Sequence, residues 1–98
     1  LGHYVRDVKL FSFEEAVRRM TGLPASQFRL RDRGVLAPGA IADITIVDPQ
    51  TVADRATFAE PTLPSSGIAH VIVGGTPIWN GGASTGARPG AVIRRAAA

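Results

Sequence analysis

Two short apolar runs constrain the fold of this chain more than any other feature. Residues 43–47 and 68–73 are rich in consecutive β-branched and apolar residues, a pattern typical of strands that are covered on both faces. A chain of 98 residues forms at most one ordinary domain, so it has few residues left to cover two such strands. The sequence therefore predicts a sheet that needs partner strands from outside these residues.

The first run lies between two turn signals. Pro38 and Gly39 fit the central positions of a type II turn, because proline presets φ and glycine accepts a positive φ. Pro49 ends the strand, since it has no N–H to donate to a ladder. Asp48 before it is expected to serve the turn, and Asp43 is expected to cap or to pair with an arginine.

The residues before this stretch are expected to be helical. Ser12 and Glu15 have the spacing of a capping box, in which the hydroxyl accepts from the Glu15 amide and the glutamate reaches back to the cap amide. This predicts a helix over residues 13–20. An apolar stripe at i, i+3, i+4 and i+7 predicts the last two turns of an earlier helix, on Leu1, Tyr4, Val5 and Val8.

The end of the 13–20 helix is expected at Gly22, as a C-terminal cap. Pro24 can open a short second helix that runs through Phe28, because proline is tolerated in a first turn. Two favourable i, i+4 ion pairs are expected on the exposed face of the 13–20 helix: Glu14 with Arg18, and Glu15 with Arg19.

After the first strand, residues 50–64 form a long, proline-containing segment that is expected to pack on another surface or to be functional. Side chains of Thr51, Asp54 and Thr57 suggest local turns within it. Further elements are predicted in this order: a strand at 68–73, a hairpin turn at Gly74 and Gly75, a return strand at 76–80, a flexible segment at 81–90, a last strand at 91–94 and a frayed end at 95–98.

The charge and residue content exclude several classes of function. The net charge is +3 and ten of the eleven cations are arginines, but these are scattered and not interleaved with aromatic residues, so no nucleic-acid partner is expected. The chain has no cysteine, which excludes a disulfide scaffold and a cysteine zinc site within it. No apolar run approaches about twenty residues, so no membrane partner is expected and cytoplasmic localisation is the default.

None of the residue patterns makes a credible active site. His3 and His70 belong to no zinc-binding spacing, and His70 is expected to be a partly buried structural residue while His3 is solvated. Asp43 and Asp48 are five apart, which puts them on opposite faces of an extended chain. The glycines at 74–90 precede no helix and favour turns over a phosphate loop. No catalytic, cofactor-binding or metal-ligating residue is therefore predicted in this chain.

Several separated motifs occur along the chain, at residues 10–25, 30–34, 38–39, 42–44, 48–49, 51–58, 67–73 and 85–90. Their order resembles the C-terminal segment of the N-acyl-D-amino-acid deacylases, or D-aminoacylases, of the amidohydrolase superfamily. The resemblance extends over nearly the whole chain.

This resemblance implies an α+β piece of a larger enzyme. Residues 1–30 would be terminal helices of a TIM-like barrel, and residues 31–98 the C-terminal half of a small β-sandwich whose other strands come from the enzyme's N-terminus. The implied reaction is zinc-dependent hydrolysis of an N-acyl-D-amino acid to a carboxylate and a D-amino acid. In such enzymes a metal-bound hydroxide attacks the amide and a barrel aspartate is the general base. The zinc ligands and that aspartate map to no position here, so the remainder of the enzyme is the implied partner and the 98 residues alone are expected to be inactive.

Two other interpretations stay open from the sequence. The chain could be a free-standing β-rich interaction module, which would require a closed sheet of its own. It could instead be the same segment of a cyclic amidohydrolase of the dihydroorotase or hydantoinase type, although residues 51–58 favour the deacylases.

Overall fold

The computed structural model describes residues 1–93 and confirms an α+β chain, in which three helical segments precede one sheet. None of the helices in this range is long and apolar enough to cross a membrane. The elements are, in order, a π-helix Gly2–Asp7, α1 Phe13–Met20, α2 Gly22–Gln27, β1 Ile44–Val47, β2 Ile68–Val73, β3 Thr76–Asn80 and β4 Ala83–Ser84.

A helical segment is present where the apolar stripe predicts one, but it is a π-helix and not the α-helix that the spacing of the stripe indicates. The amide of Arg6 donates to Leu1 O at 3.1 Å and that of Val8 to His3 O at 2.8 Å, each five residues back. With this hydrogen-bond pattern, positions three and four apart no longer align on one face as they do at 3.6 residues per turn. The side chains of Tyr4 and Val8 are accordingly more than half exposed.

Helix α1 begins as predicted but its ion pairs differ. Ser12 Oγ accepts a hydrogen bond from the Glu15 amide at 3.1 Å. The reciprocal half of the capping box does not form, because the Glu15 carboxylate accepts from Arg18 and Arg19 instead. Arg18 thus pairs with Glu15 and not with Glu14, whereas the predicted Glu15–Arg19 pair is present at 3.0 Å.

The boundary between α1 and α2 also differs from the prediction. Thr21, at φ −128° and ψ −77°, is the C-terminal cap of α1, so the helix ends at Met20 and its cap needs no positive φ. Gly22 instead begins α2, two residues before Pro24, which still lies in the first turn where its missing N–H costs nothing. Phe28 follows as the C-terminal cap.

The turn before β1 has the predicted form. The amide of Ala40 donates to Ala37 O at 3.0 Å across Pro38 and Gly39, and Gly39 has φ +84° as a type II turn requires. Strand β1 then covers four residues, of which Ile46 is 45% exposed. The described residues therefore do not cover β1 on both faces.

The four strands form one antiparallel sheet in the order β1-β2-β3-β4. Gly74 and Gly75 make the predicted two-residue turn between β2 and β3, with φ of +56° and +81°. Strand β4 pairs only with Trp79 and Asn80, so Pro77 lies outside that ladder, as expected of a proline near a strand end.

Strand β4 lies inside the segment 81–90, which was predicted to be flexible throughout. Two consecutive glycines at its start form a second tight turn with positive φ, and this turn returns the chain along the end of β3. The amide of Thr85 extends the contact by donating to Ile78 O at 2.9 Å. The first three residues of the predicted strand at 91–94 are not in a strand, and the fourth, with 95–98, lies outside the described residues.

The helical part and the sheet meet at Val52, one of three buried apolar side chains among residues 1–93. The guanidinium Nη1 of Arg6 donates to Val52 O at 2.8 Å. Gly2 and Gly67 lie so close that an added Cβ would be 2.7 Å from Val52 O and 2.3 Å from Val52 N, respectively. We refer to Gly2, Arg6, Val52 and Gly67 as the Val52 junction.

Replacing Gly67 with alanine should destabilise the protein more than replacing Gly75. The two glycines have nearly the same φ, +78° and +81°, so both variants carry the strain of about 1–2 kcal/mol that a Cβ meets in the left-handed region. Only Gly67→Ala adds an overlap with the Val52 main chain, since nothing lies within 4 Å of a Cβ on Gly75. Urea-unfolding midpoints measure the difference, and equal shifts would contradict the close approach.

The Glu15 carboxyl should titrate well below its usual range. Hydrogen bonds from Arg18 and then Arg19 lower its pKa from 4.5 to about 2. Because the folded pKa lies below the unfolded one, the stabilisation is present above about pH 4.5 and is lost as the pH falls toward 2. An NMR titration of the Glu15 side-chain carbon measures this pKa. Arg18→Met should raise it more than Arg19→Met, and a value near 4.5 in the unaltered protein would contradict the ion pairs.

Candidate functional site

The two histidines lie in different elements and do not form a ligand set. His3 is exposed in the π-helix and packs edge-to-face on Tyr4, with ring centroids 4.7 Å apart. His70 is half-buried in β2, where it pairs with Ile46 of β1 and Asn80 of β3. Among residues 1–93, no group of three or more His, Cys, Asp or Glu side chains could hold a metal ion. The donor set of this part of the chain does not fit a zinc site.

Asp43 joins three parts of the chain at the start of β1. Its Oδ1 accepts from the Gly74 amide at 2.8 Å, and its Oδ2 accepts from Nη1 of Arg33. Beside it, Ala42 O accepts from the Gly75 amide at 2.9 Å. The carboxylate therefore holds the connector before β1 against the β2–β3 turn through charge-assisted hydrogen bonds. The expected pairing of Asp43 with an arginine is confirmed.

Asp48 serves the turn after β1, as expected. Its Oδ1 accepts from the Gln50 amide at 2.9 Å, which is an Asx-turn. Its own amide donates to Gly67 O at 2.8 Å and so leads the chain into the Val52 junction. Asp43 and Asp48 thus stabilise two separate turns, and neither is placed as half of an acid–base pair.

Four of the glycines of residues 74–86 lie in the two tight turns of the sheet, and Gly86 follows β4. All five have positive φ, and a Cβ on any of them would meet nothing within 4 Å among the described residues. None opens a helix, so their amides do not converge as a phosphate-binding loop requires. The glycine pairs at 74–75 and 81–82 form the turns that reverse the chain direction.

The chain buries little of its own apolar surface. Among residues 1–93, the buried apolar side chains are Ala16, Ala25 and Val52, and no large side chain is fully buried. The accessible surface is 7543 Å², whereas a folded monomer of 10.3 kDa exposes about 5,400 Å². The radius of gyration is 14.9 Å, against about 12.6 Å for a compact domain of this length. Both comparisons indicate an open arrangement with uncovered faces.

One uncovered face lies on the sheet, where an apolar depression has a volume of about 480 Å³. Its lining includes Ile68 and Val71 of β2 with Ile78 and Trp79 of β3, which we call the apolar sheet face. Trp79 Nε1 is buried there and finds no acceptor in the described part of the chain. Since buried indole N–H groups normally have an acceptor, this face resembles one half of a domain core.

Large apolar side chains are also exposed on the helices, on the connector before β1 and on the loop after it. A monomeric protein rarely exposes so many, so these surfaces are candidates for contact with another part of a larger protein. The most exposed on these elements include Leu10, Met20, Phe28, Val35, Leu36 and Phe58. The candidate functional feature of the described residues is therefore an extensive uncovered apolar surface.

Sequence comparison identifies the protein class that this arrangement comes from. Residues 1–79 match the model of the amidohydrolase family, and the chain belongs to that family. Over all 98 residues it is 51% identical to a D-aminoacylase of Alcaligenes xylosoxydans xylosoxydans. The chain covers 20% of that relative, so it spans about a fifth of the length of the protein that it matches.

A solved structure has the same arrangement of helices and strands. N-acyl-D-glutamate deacylase from Bordetella bronchiseptica, complexed with zinc and a phosphonate inhibitor, matches with a TM-score of 0.83 at 54% identity. The match covers 95% of this chain and 19% of that protein. The resemblance to the deacylases that the sequence motifs indicate is confirmed.

A more distant relative belongs to the cyclic amidohydrolases. A dihydroorotase of Lactobacillus acidophilus is 37% identical over 65 residues, which is 66% of this chain and 15% of that protein. The shorter match and lower identity distinguish it from the two deacylases, which align along nearly the whole chain.

Asp43 and Arg33 should be energetically coupled. Asp43→Ala leaves the Gly74 amide and the Arg33 guanidinium without their acceptor, at a cost of about 1–2 kcal/mol because the pair is partly exposed. In a double-mutant cycle with Arg33→Met, urea unfolding should give a coupling of about 0.5–1 kcal/mol. Arg31→Met is the matched control and should show no coupling with Asp43→Ala. Strict additivity for Arg33 would contradict the role of this contact.

Proposed function

We propose that this chain is the C-terminal part of a zinc-dependent amidohydrolase that converts N-acyl-D-amino acids to a carboxylate and a D-amino acid. The observation that carries the proposal is the 51% identity to a D-aminoacylase along every residue of a chain that covers a fifth of it. The 54% identity to the N-acyl-D-glutamate deacylase structure supports the same reaction class.

Two structural units are proposed within that enzyme. Residues 1–30 are the C-terminal helices of a TIM-like barrel, and residues 31–98 are the C-terminal part of a composite β-sandwich. A boundary near residue 30 is supported because the last helix ends at Gln27 and the first strand begins only at Ile44. The apolar sheet face supports a second sheet packed against it, which strands from the enzyme's N-terminus would supply.

The zinc ligands and the catalytic base are proposed to lie outside these 98 residues. Supporting this, His3 and His70 are separated in different elements, while Asp43 and Asp48 stabilise turns. The contribution of this chain to the reaction is then to cover and support the barrel. Its partner is the remainder of the same polypeptide, with no nucleic acid or membrane involved. Cytoplasmic localisation stays a prediction.

The two alternatives have less support. A free-standing interaction module needs its own core and closed edges, whereas β1 and β4 are sheet edges within residues 1–93 and the buried apolar residues there are small. A cyclic-amide substrate would follow the dihydroorotase, but that relative aligns over only two thirds of the chain. The deacylase reaction therefore remains the proposed one.

The proposal is tested on the full-length enzyme with zinc. We expect release of the free amino acid from an N-acetyl-D-amino acid, little from the L enantiomer, and no ring opening of dihydroorotate. The isolated 98 residues with zinc should give no turnover, because residues 1–93 provide no ligand set. Ring opening in place of deacylation would support the cyclic alternative, and turnover by the isolated chain would overturn the placement of the active site.

A further inference from the structure

Phe58 differs from the other exposed apolar residues because none of its side chain is covered, with a relative exposure of 109%. It lies between β1 and β2 in the segment 53–66, which we call the Phe58 loop. The loop is closed at its base by two hydrogen bonds between Ala53 and Ser66, at 2.9 and 3.1 Å. The closed base fixes the two ends of the loop relative to each other.

Local hydrogen bonds also define the backbone on either side of Phe58. Asp54 Oδ1 accepts from the Ala56 amide at 2.9 Å. Thr57 Oγ1 accepts from the Glu60 amide at 2.9 Å, and the Thr57 amide donates to Glu60 O at 3.1 Å. The aromatic ring is thus presented by an ordered turn, so that little backbone entropy is lost when it is buried in a contact.

The surroundings of Phe58 have the pattern of an interface anchor. Together with Ala56, Thr57 and Pro61 it lines an open, mainly apolar depression of about 560 Å³. Exposed Glu60 lies beside it as a charged rim. An aromatic residue on an apolar patch with polar residues at the edge is typical of the positions that contribute most to association.

The loop leaves the molecule next to the Val52 junction, where Gly2 and Arg6 of the π-helix contact Val52. In the proposed enzyme the remainder of the polypeptide precedes Leu1, so it reaches this chain at the base of the loop. That remainder is large, because the chain covers 20% of the D-aminoacylase that it matches.

We infer that Phe58 is an anchor that inserts into an apolar pocket of the preceding barrel part of the same polypeptide and holds the C-terminal segment against it. This inference rests on the proposed function, to which it adds a specific contact. A second copy of the chain is a weaker candidate for the occupant. A two-fold interface with a second copy would cover one surface patch of the chain. Large apolar residues are instead exposed on several surfaces, namely the helices, the connector before β1 and the loop after it.

The test measures the accessibility of position 58 in the full-length enzyme. Phe58→Cys and Glu60→Cys are labelled with a maleimide and read by peptide mass spectrometry, in native buffer and in urea. We expect Phe58→Cys to react at least about a hundredfold more slowly in the native enzyme than in urea, because labelling requires the anchor to open. Glu60→Cys, on the rim, should react at similar rates in both. Fast native labelling of a Phe58→Cys enzyme that retains wild-type activity overturns the anchor.

Hydroxyl-radical oxidation of Phe58 in the unaltered enzyme provides a second measurement that does not depend on the variant folding. Oxidation should be at least about tenfold slower in the native than in the unfolded enzyme. Protection that disappears when an oligomer is diluted to monomer overturns the intramolecular contact in favour of a second copy. The hydrolysis assay on the same sample separates the two proposals: an inactive but protected enzyme contradicts the function, whereas an active, unprotected enzyme contradicts only the anchor.

Discussion

The packing of this chain depends on main-chain contacts at Val52. Gly2 approaches its carbonyl, Gly67 approaches its amide, and Arg6 donates to the same carbonyl. Gly2 and Arg6 are about fifty positions from Val52 in sequence, and Gly67 follows it in the residue before β2. The contacts therefore fix the helical part relative to the start of β2. Large side chains contribute little buried surface in this chain. The segments can approach each other because Gly2 and Gly67 have no side chain that would overlap with the Val52 main chain.

Burial and family membership together explain why a chain with so small a core of its own is nevertheless well defined. The sheet is ordered by its turns and by the Asp43 contacts to Arg33 and Gly74. Its apolar face, however, has the composition of an interior, and Trp79 there keeps an indole N–H without an acceptor among residues 1–93. In the amidohydrolase family such a segment is about a fifth of a much longer protein, so the missing core is consistent with faces that complete another part of the same molecule.

Local signals were sufficient to predict much of this architecture. The Ser12 cap, the Pro38–Gly39 turn and the Gly74–Gly75 hairpin each depend on neighbouring residues, and all three are confirmed. The π-helix was not predicted because an apolar stripe shows only the spacing of apolar residues along the chain. It does not show which carbonyl accepts the hydrogen bond from each amide. Competition explains the incomplete capping box, since the Glu15 carboxylate accepts from two arginines instead of from the cap amide. The Val52 junction and the exposure of Phe58 were beyond sequence reasoning, because both depend on segments distant along the chain. The residue types and their spacing also lead to the prediction that this chain contains no catalytic set, which stays a prediction.

The open edges of the sheet have a consequence for how such a protein would be made. Within residues 1–93, β1 and β4 each present one side with main-chain groups that no strand pairs. If the missing strands come from the N-terminus, they are synthesised first and must wait until the entire barrel has emerged before their partners exist. Closure across so long a separation is slow, and unpaired edges and apolar faces are exposed meanwhile. A ribosome-bound or truncated chain would therefore be a substrate for chaperones until the strands of this segment had docked.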